Sequence, residues 1–336
     1  MNEKKNFGQI VIDYAKSNPI VILLVIVSIF VGLTTKNFFS WGNFNNLVSN
    51  TAVRFIIALG VSGCLITKGT DLSAGRQVGL SACIAGILCQ RGDYSGKIFP
   101  NVPEMSIWVV LLIVIAIGAI IGIINGLIIS RLKVPPFITT LGTQTIVYGL
   151  ALVVTNAQPV GGFQSAYTSF VAGKFGSANG FQIPYLLIIA LLFGLFFWVL
   201  YNQMRHGKYM YAIGGNEIAA EVSGVNTKKT ITLIYMTAGI MYAVAGWLVA
   251  AKSGGASSAM GQGYELEAIA GCTIGGISTT GGIGTVSGVL VGVLVFELLK
   301  IVLQFLGVNP YYNFIVQGIV IVVAVALDIR KNIKKK

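Results

Sequence analysis

Residues 107–130 read IWVVLLIVIAIGAIIGIINGLIIS, an apolar stretch without a single charge. A helix needs about 20 such residues to cross the hydrocarbon core of a bilayer, so the stretch predicts a transmembrane helix. It ends where the chain turns to Arg131-Leu132-Lys133-Val134-Pro135-Pro136. Two consecutive prolines remove two backbone donors and block helix continuation, which makes 131–136 a loop.

Working outward, further apolar runs cover 137–155, 184–201, 230–251, 266–277, 283–306 and 314–328 on one side, and 19–35, 43–67 and 77–90 on the other. The pattern predicts an all-α, polytopic membrane helical bundle of about ten transmembrane segments in one domain over 1–336. The run 19–35 sits where a signal-peptide core would, but no small-x-small pattern follows it, so it reads as an uncleaved first span. The runs 77–90 and 266–277 are short; half-length segments are tolerated where they are buried in protein or line a cavity.

Composition agrees. Of 336 residues, 55% are apolar and 10% charged, with a mean hydropathy of +0.81. A soluble domain carries about a quarter charged residues, which excludes an ordinary soluble enzyme. The net charge of +12 comes from Lys and Arg between the apolar runs and at both ends, which argues against nucleic acid as a partner. With the N-terminus in the cytoplasm, inside segments carry a roughly threefold excess of Lys and Arg over outside ones. Both termini are therefore expected to be cytoplasmic. Cys64, Cys83, Cys89 and Cys272 lie in or beside apolar runs without a CxxC pair and read as small packing residues. The 42 glycines predict closely approaching helices, because small residues let backbones pack in lipid.

The longest charged connection is 202–229. Within it, Ala212-Ile213-Gly214-Gly215-Asn216-Glu217-Ile218-Ala219-Ala220-Glu221-Val222-Ser223-Gly224-Val225 predicts a short isolated helix. Asn216 can cap its free N–H groups, Glu217 lies at the positive end of the dipole, and Gly224 supplies a left-handed stop. Ile218, Val222 and Val225 fall on one face, Glu217 and Glu221 on another. Two turns are not stable alone in water. The helix is either a capped turn packed on its own membrane domain or a docking knob for another protein.

Charges inside spans need partners. Arg54 would cost about 2.5–3.5 kcal/mol if it faced lipid, so it should face the bundle interior against a carboxylate or carbonyls, as a clamp before a ligand contact. Asp71 reads as the cap of the following helix, with a gate as the alternative. Glu265 and Glu267 open a short span as caps or gate pairs, and Glu297 and Lys300 share a helix face and can neutralise each other. His206, the sole histidine, sits in the charged loop with no metal partner. No catalytic constellation, metal-ligand set or G-x-x-x-x-G-K-[ST] phosphate loop occurs. Asp71-Leu72-Ser73-Ala74 and Glu265-Leu266-Glu267-Ala268 both read acid-Leu-x-Ala, a hint of the inverted repeats common in transporters.

The segment 212–225 resembles the cytoplasmic coupling loop of ATP-binding cassette (ABC) importer permeases. Three further motifs, Gly69-Thr70-Asp71-Leu72-Ser73-Ala74-Gly75, Pro136-Phe137-Ile138-Thr139-Thr140-Leu141-Gly142 and Tyr264-Glu265-Leu266-Glu267-Ala268-Ile269-Ala270 with Gly275-Gly276, are similar to those of the bacterial ABC monosaccharide permeases of ribose, galactose and xylose type. Arg76-Gln77-Val78-Gly79-Leu80 and Val308-Asn309-Pro310-Tyr311 lie nearest the galactose/methyl-galactoside branch. The strict Glu-Ala-Ala triplet appears as Glu217-Ile218-Ala219-Ala220.

The resemblance, which covers essentially the whole chain, implies an inner-membrane, multi-pass permease subunit. Its partners would be a tandem-cassette ATPase subunit, a periplasmic sugar-binding protein and a second copy of itself. ATP and Mg would be used by the ATPase, and no cofactor would be bound by this chain. The expected coupling residues are Gly214, Gly215, Asn216, Glu217, Ala219, Ala220, Glu221 and Gly224. The expected pathway or gate residues are Arg54, Asp71, Gln77, Asn125, Gln144, Tyr148, Glu265 and Glu267. Gln144 and Tyr148 share a helix face; polar residues in spans hydrogen-bond neighbouring helices more often than they contact a sugar. The rival readings are an ion-coupled secondary sugar transporter, which would need an ion site near the midplane, a ribose or xylose permease, and an intramembrane enzyme.

Overall fold

The computed structural model describes residues 19–176, 182–309 and 311–333. The basic segment 1–17, Pro310 and the terminal lysines 334–336, on which part of the topology and motif reading rests, lie outside these residues. In chain order the first helices are α1 (Pro19–Thr34), α2 (Trp41–Ile66), α3 (Ala74–Leu88), α4 (Ile107–Arg131) and α5 (Pro136–Thr155). Ser40 caps α2 by accepting from Asn43 N at 3.2 Å. Pro136 starts α5, where its missing N–H costs no hydrogen bond.

Between the apolar runs 137–155 and 184–201 lie α6 (Ser165–Ala172) and β1 (Lys174–Gly176), the latter paired antiparallel with β2 (Gln182–Pro184). The all-α expectation is therefore corrected by one small hairpin. After α7 (Tyr185–Asn202) the charged loop holds two helices rather than one, α8 (Arg205–Gly215) and α9 (Glu217–Val222). The chain closes with α10 (Thr227–Ser253), α11 (Tyr264–Ile274), α12 (Val286–Phe305) and α13 (Tyr312–Ile333).

Among the described residues, six helices are long and apolar enough to cross a membrane: α2, α4, α5, α7, α10 and α12. Shorter apolar stretches lie in α1, α3 and α13. The 15 residues of α3 and the 11 of α11 rise about 22 and 16 Å, less than the roughly 30 Å of hydrocarbon. Both helices are largely buried in protein, where such lengths are tolerated. The two acid-Leu-x-Ala stretches sit differently: Asp71 precedes α3, whereas Glu265 is already within the first turn of α11.

The order of layers inverts that of a soluble protein. The most apolar span, α4, is peripheral and exposes Leu112, Ile120 and Ile124, while the less apolar α2 and α10 form the interior. Lipid solvates apolar side chains as well as a core does, so polarity and small residues mark the inside. The seam of α4 against α10 shows why. Gly118, Gly122 and Gly126 recur every four residues along it, and a Cβ on Gly122 would stand 2.8 Å from Met236 Cα and one on Gly126 2.6 Å from Thr232 Cα. Below them Ser130 Oγ and Thr232 Oγ1 lie 3.1 Å apart. All four cysteines are buried free thiols.

One end of the bundle is closed by loops. Val160 and Ala256 exchange backbone hydrogen bonds of 2.8 Å, and the Tyr167 hydroxyl donates to Trp247 O at 2.5 Å. Trp247, Tyr167, Phe170 and Trp108 form one aromatic cluster there. At the opposite end lie α8 and α9.

Candidate functional site

Helix α9 is capped and closed as its sequence prescribes, whereas α8 before it was not expected. Asn216 Oδ1 accepts from Ala219 N at 3.0 Å, and Gly224 closes α9 with φ +86°, a left-handed conformation that glycine adopts without strain. Glu217 meets Lys133 of the Pro-Pro loop at 2.9 Å. Gly215 O accepts from Lys68 Nζ at 3.1 Å. Gly214 packs directly on the backbone of Ile66 and Gly282, and Gly282 N donates to Ile66 O at 2.8 Å.

Ala220 is the buried residue of α9, and Ala219 and Glu221 are exposed. Ile218 and Val222, one turn apart, are 76% and 85% exposed. The apolar face thus points away from the membrane domain; only Val225, just past the helix, packs back on the core. A cavity of about 570 Å³ opens beside Ile218 and Glu217, walled by Thr67, Gly69, Pro135 and Tyr235. His206, expected in a solvated loop, is half-buried on α8, and burial lowers its pKa below the usual 6.5.

A second constellation lies where the loop 67–73 enters the bundle. Asp71, fully buried, does not cap α3; Ser73 holds the N-cap position. Asp71 Oδ1 accepts instead from Ser73 N at 2.9 Å and Ser73 Oγ at 2.5 Å, and Asp71 Oδ2 from the Tyr242 hydroxyl at 3.2 Å. The correction has a simple cause, since a short acid reaches its own backbone two residues on. Ser73 Oγ also accepts from Gln77 Nε2 at 2.9 Å and Asn125 Nδ2 at 3.2 Å, which uses all its hydrogen-bonding capacity. Thr143 Oγ1 donates to Asn125 Oδ1 at 2.5 Å. Asp71, Gln77 and Asn125 therefore meet, through a serine that sequence reasoning passed over. Gln77 Oε1 remains buried without a partner.

A third group is ionic. Arg54 Nε lies 2.6 Å from Glu267 Oε2 and 3.5 Å from Glu297 Oε1. Lys300 Nζ lies 3.0 Å from Glu267 Oε2 and 2.5 Å from Glu297 Oε1. The two cations and two anions balance, and the Arg54 guanidinium also stacks 3.4 Å above the Tyr264 ring. Arg54 thus faces the interior against carboxylates, and Glu297 and Lys300 pair as their spacing predicts. The sequence placed Tyr264 in a motif without pointing to this role, and gave no sign of Gln317, which donates to Glu267 Oε1 at 3.4 Å.

The remaining candidates stand apart. Tyr148 lies under the Arg76 guanidinium at 4.2 Å, and Gln144 on the same helix joins neither cluster. Glu265 is buried against Gly75 at the start of α3 and does not touch Glu267's ion pairs. Among the described residues, no group of three or more His, Cys, Asp or Glu is placed to hold a metal.

Fold and site together define a polytopic membrane permease: a buried hydrogen-bonded cluster and a buried ion-paired cluster within an apolar bundle, and an anchored helical knob outside it. The chain belongs to the family described as branched-chain amino acid transport system / permease component, whose pattern matches residues 43–325. It is 46% identical over 336 residues to the galactose/methyl galactoside import permease protein MglC of Escherichia coli (strain K12), covering 99% of this chain and 98% of that protein. It is 44% identical over 327 residues to the MglC protein of Haemophilus influenzae (96% and 97% covered). With the ribose import permease protein RbsC of Escherichia coli (strain K12) it shares 34% over 318 residues, 94% of each chain. No solved structure matches the chain. The chain is a multi-pass permease of the inner membrane.

Proposed function

We propose that this chain is the membrane-spanning subunit of an ABC importer for a monosaccharide, with galactose and methyl galactosides as its substrates. The observation that carries the reading is the exposed apolar pair Ile218 and Val222 on a helix held down by Ala220 and Lys133, with Lys68 holding Gly215 at the end of α8 just before it. A six-residue helix that is capped, anchored and apolar outward is a docking element, and the partner it fits is an ATPase subunit, of tandem-cassette type. The residues Gly214 to Gly224 form the coupling element within the loop 202–229. ATP and Mg belong to the ATPase, and a periplasmic binding protein delivers the sugar. The likeness to galactose/methyl galactoside permeases over nearly the full chain supports the substrate.

The topology that goes with this reading has about ten crossings and both termini in the cytoplasm. The short helices α3 and α11, each associated with an acid-Leu-x-Ala stretch, are the basis for an inverted repeat. A second copy of the chain completes the pathway. Support comes from α5, which is peripheral yet less apolar than α4 and leaves Gly142 and Thr145 exposed. Small residues on an outer face suit close packing against another helix.

The test is uptake of labelled galactose into vesicles holding permease, ATPase and binding protein. Uptake should require ATP and all three components. Uptake driven by a proton or sodium gradient without ATP would instead establish the secondary-transporter reading.

A further inference from the structure

A cavity of about 590 Å³ lies where α4 ends and α10 begins, lined by Leu127, Arg131, Asn226, Lys228, Lys229, Thr232 and Leu233. We infer that Arg131, Lys228 and Lys229 form a binding site for the headgroup of an anionic phospholipid, whose acyl chains lie along the outer face of α4.

Three observations carry this. First, the cations lack partners: among the described residues, no carboxylate forms an ion pair with Arg131, Lys228 or Lys229. Second, their placement is electrostatically unfavourable within the chain. Lys228 and Lys229 occupy the first turn of a 27-residue helix, the positive end of its dipole, where cations are disfavoured. The Asn226 side chain caps the N–H of Lys229 at 2.9 Å but brings no charge. A bound anion would relieve both the mutual repulsion of the cations and their conflict with the dipole. Third, the site lies at the membrane boundary. Leu127 and Leu233 form its floor, and Ile120 and Ile124 continue the exposed apolar face of α4 below it. A soluble anion would use only the basic rim, whereas a phospholipid uses the rim and the apolar face together. Clustered cations between transmembrane helices are the sequence-readable form of lipid headgroup recognition. The inference rests on the two spans and not on the importer reading.

The experiment uses the full-length protein in detergent with an equimolar mixture of phosphatidylglycerol and phosphatidylcholine, and native mass spectrometry to count retained lipid. Phosphatidylglycerol should be retained over phosphatidylcholine. Arg131→Gln, Lys228→Gln and Lys229→Gln should each lower that retention about fivefold, and Arg131→Lys should keep most of it. A control triple variant, Lys36→Gln, Arg91→Gln and Lys97→Gln, should leave retention unchanged. Equal retention of both lipids, or equal loss in the control, would overturn the site. So would displacement of the lipid by millimolar inorganic phosphate or glycerol 3-phosphate, which would assign the cations to a soluble anion. Loss of the lipid on adding the ATPase subunit would also overturn it, by showing that the groove belongs to a protein interface.

Discussion

Arg54 and Glu267 stand 213 positions apart in sequence, yet Arg54 Nε and Glu267 Oε2 are 2.6 Å apart inside the bundle. The contact joins the middle of α2 to the first turn of α11, and Lys300 and Glu297 complete a neutral quartet around it. Side-chain exposures of 18% and 11% leave little water to compensate a lost partner. Arg54→Leu leaves two carboxylates facing one ammonium, and should destabilise the protein by about 3 kcal/mol. Thermal unfolding in detergent measures this. Exchanging the charges, Arg54→Glu with Glu267→Arg, should recover part of the loss, whereas strictly additive destabilisation would show that the pair itself contributes nothing.

The α4–α10 seam should reject any side chain. Gly122→Val places its Cβ among Tyr235 and Met236 backbone atoms, which cannot move without parting the helices. Overpacking costs about 1–3 kcal/mol, and a seam of backbone atoms belongs at the upper end. Gly142→Ala, where no atom lies within 4 Å, should leave the isolated subunit's melting temperature unchanged.

Tyr242→Phe removes one of three donors from the buried Asp71 carboxylate and should cost about 1 kcal/mol. Asp71→Leu should cost more, because it strands Ser73 N–H and Tyr242 O–H together. Comparable melting temperatures for the two variants would deny the network its role.

On the knob, Ile218→Asp with Val222→Asp changes two exposed side chains. Folding stability should move by no more than about 0.5 kcal/mol, while co-purification of the ATPase subunit should be lost. Retention of the ATPase would remove the docking role, and Glu217→Lys with Glu221→Lys offers an independent check by charge.

His206 gives a pH signature. Burial holds its pKa in the fold below the 6.5 of the open chain. Above that value both states are neutral at this position and stability does not depend on it. As pH falls below 6.5, the unfolded chain takes up the proton first, so stability drops until the folded state protonates too. His206→Gln should flatten that part of the stability profile; an unchanged slope would place its origin elsewhere.

The spans were legible because lipid imposes a simple rule on composition. Residues 107–130 became α4 over Ile107–Arg131, but the connection expected over 131–136 is shorter, because Arg131 is still helical and Pro136 already opens α5. Helix α8 was not legible, since Gly207, Gly214 and Gly215 weaken its helix propensity and only Met210 and Ile213 mark its buried face. Arg54 announced that it needed a carboxylate, but helical periodicity cannot say which of several acids folds back from over two hundred residues away. Asp71 looked like a cap by spacing alone; the choice between Asp71 and Ser73 depends on one backbone turn that spacing does not encode. Tyr148 and Gln144 do share a face, yet Arg76 claims the ring of Tyr148 and leaves Gln144 aside.

The joint beneath the knob is built largely from main-chain atoms, Gly282 N on Ile66 O and Gly214 against both, with the Lys68 side chain reaching the carbonyl of Gly215. Three stretches far apart in sequence meet there chiefly backbone to backbone. A tug on the knob would thus reach the foot of α2 stiffly, as by a hinge pin, while its outward apolar face, Ile218 and Val222, stays free to change.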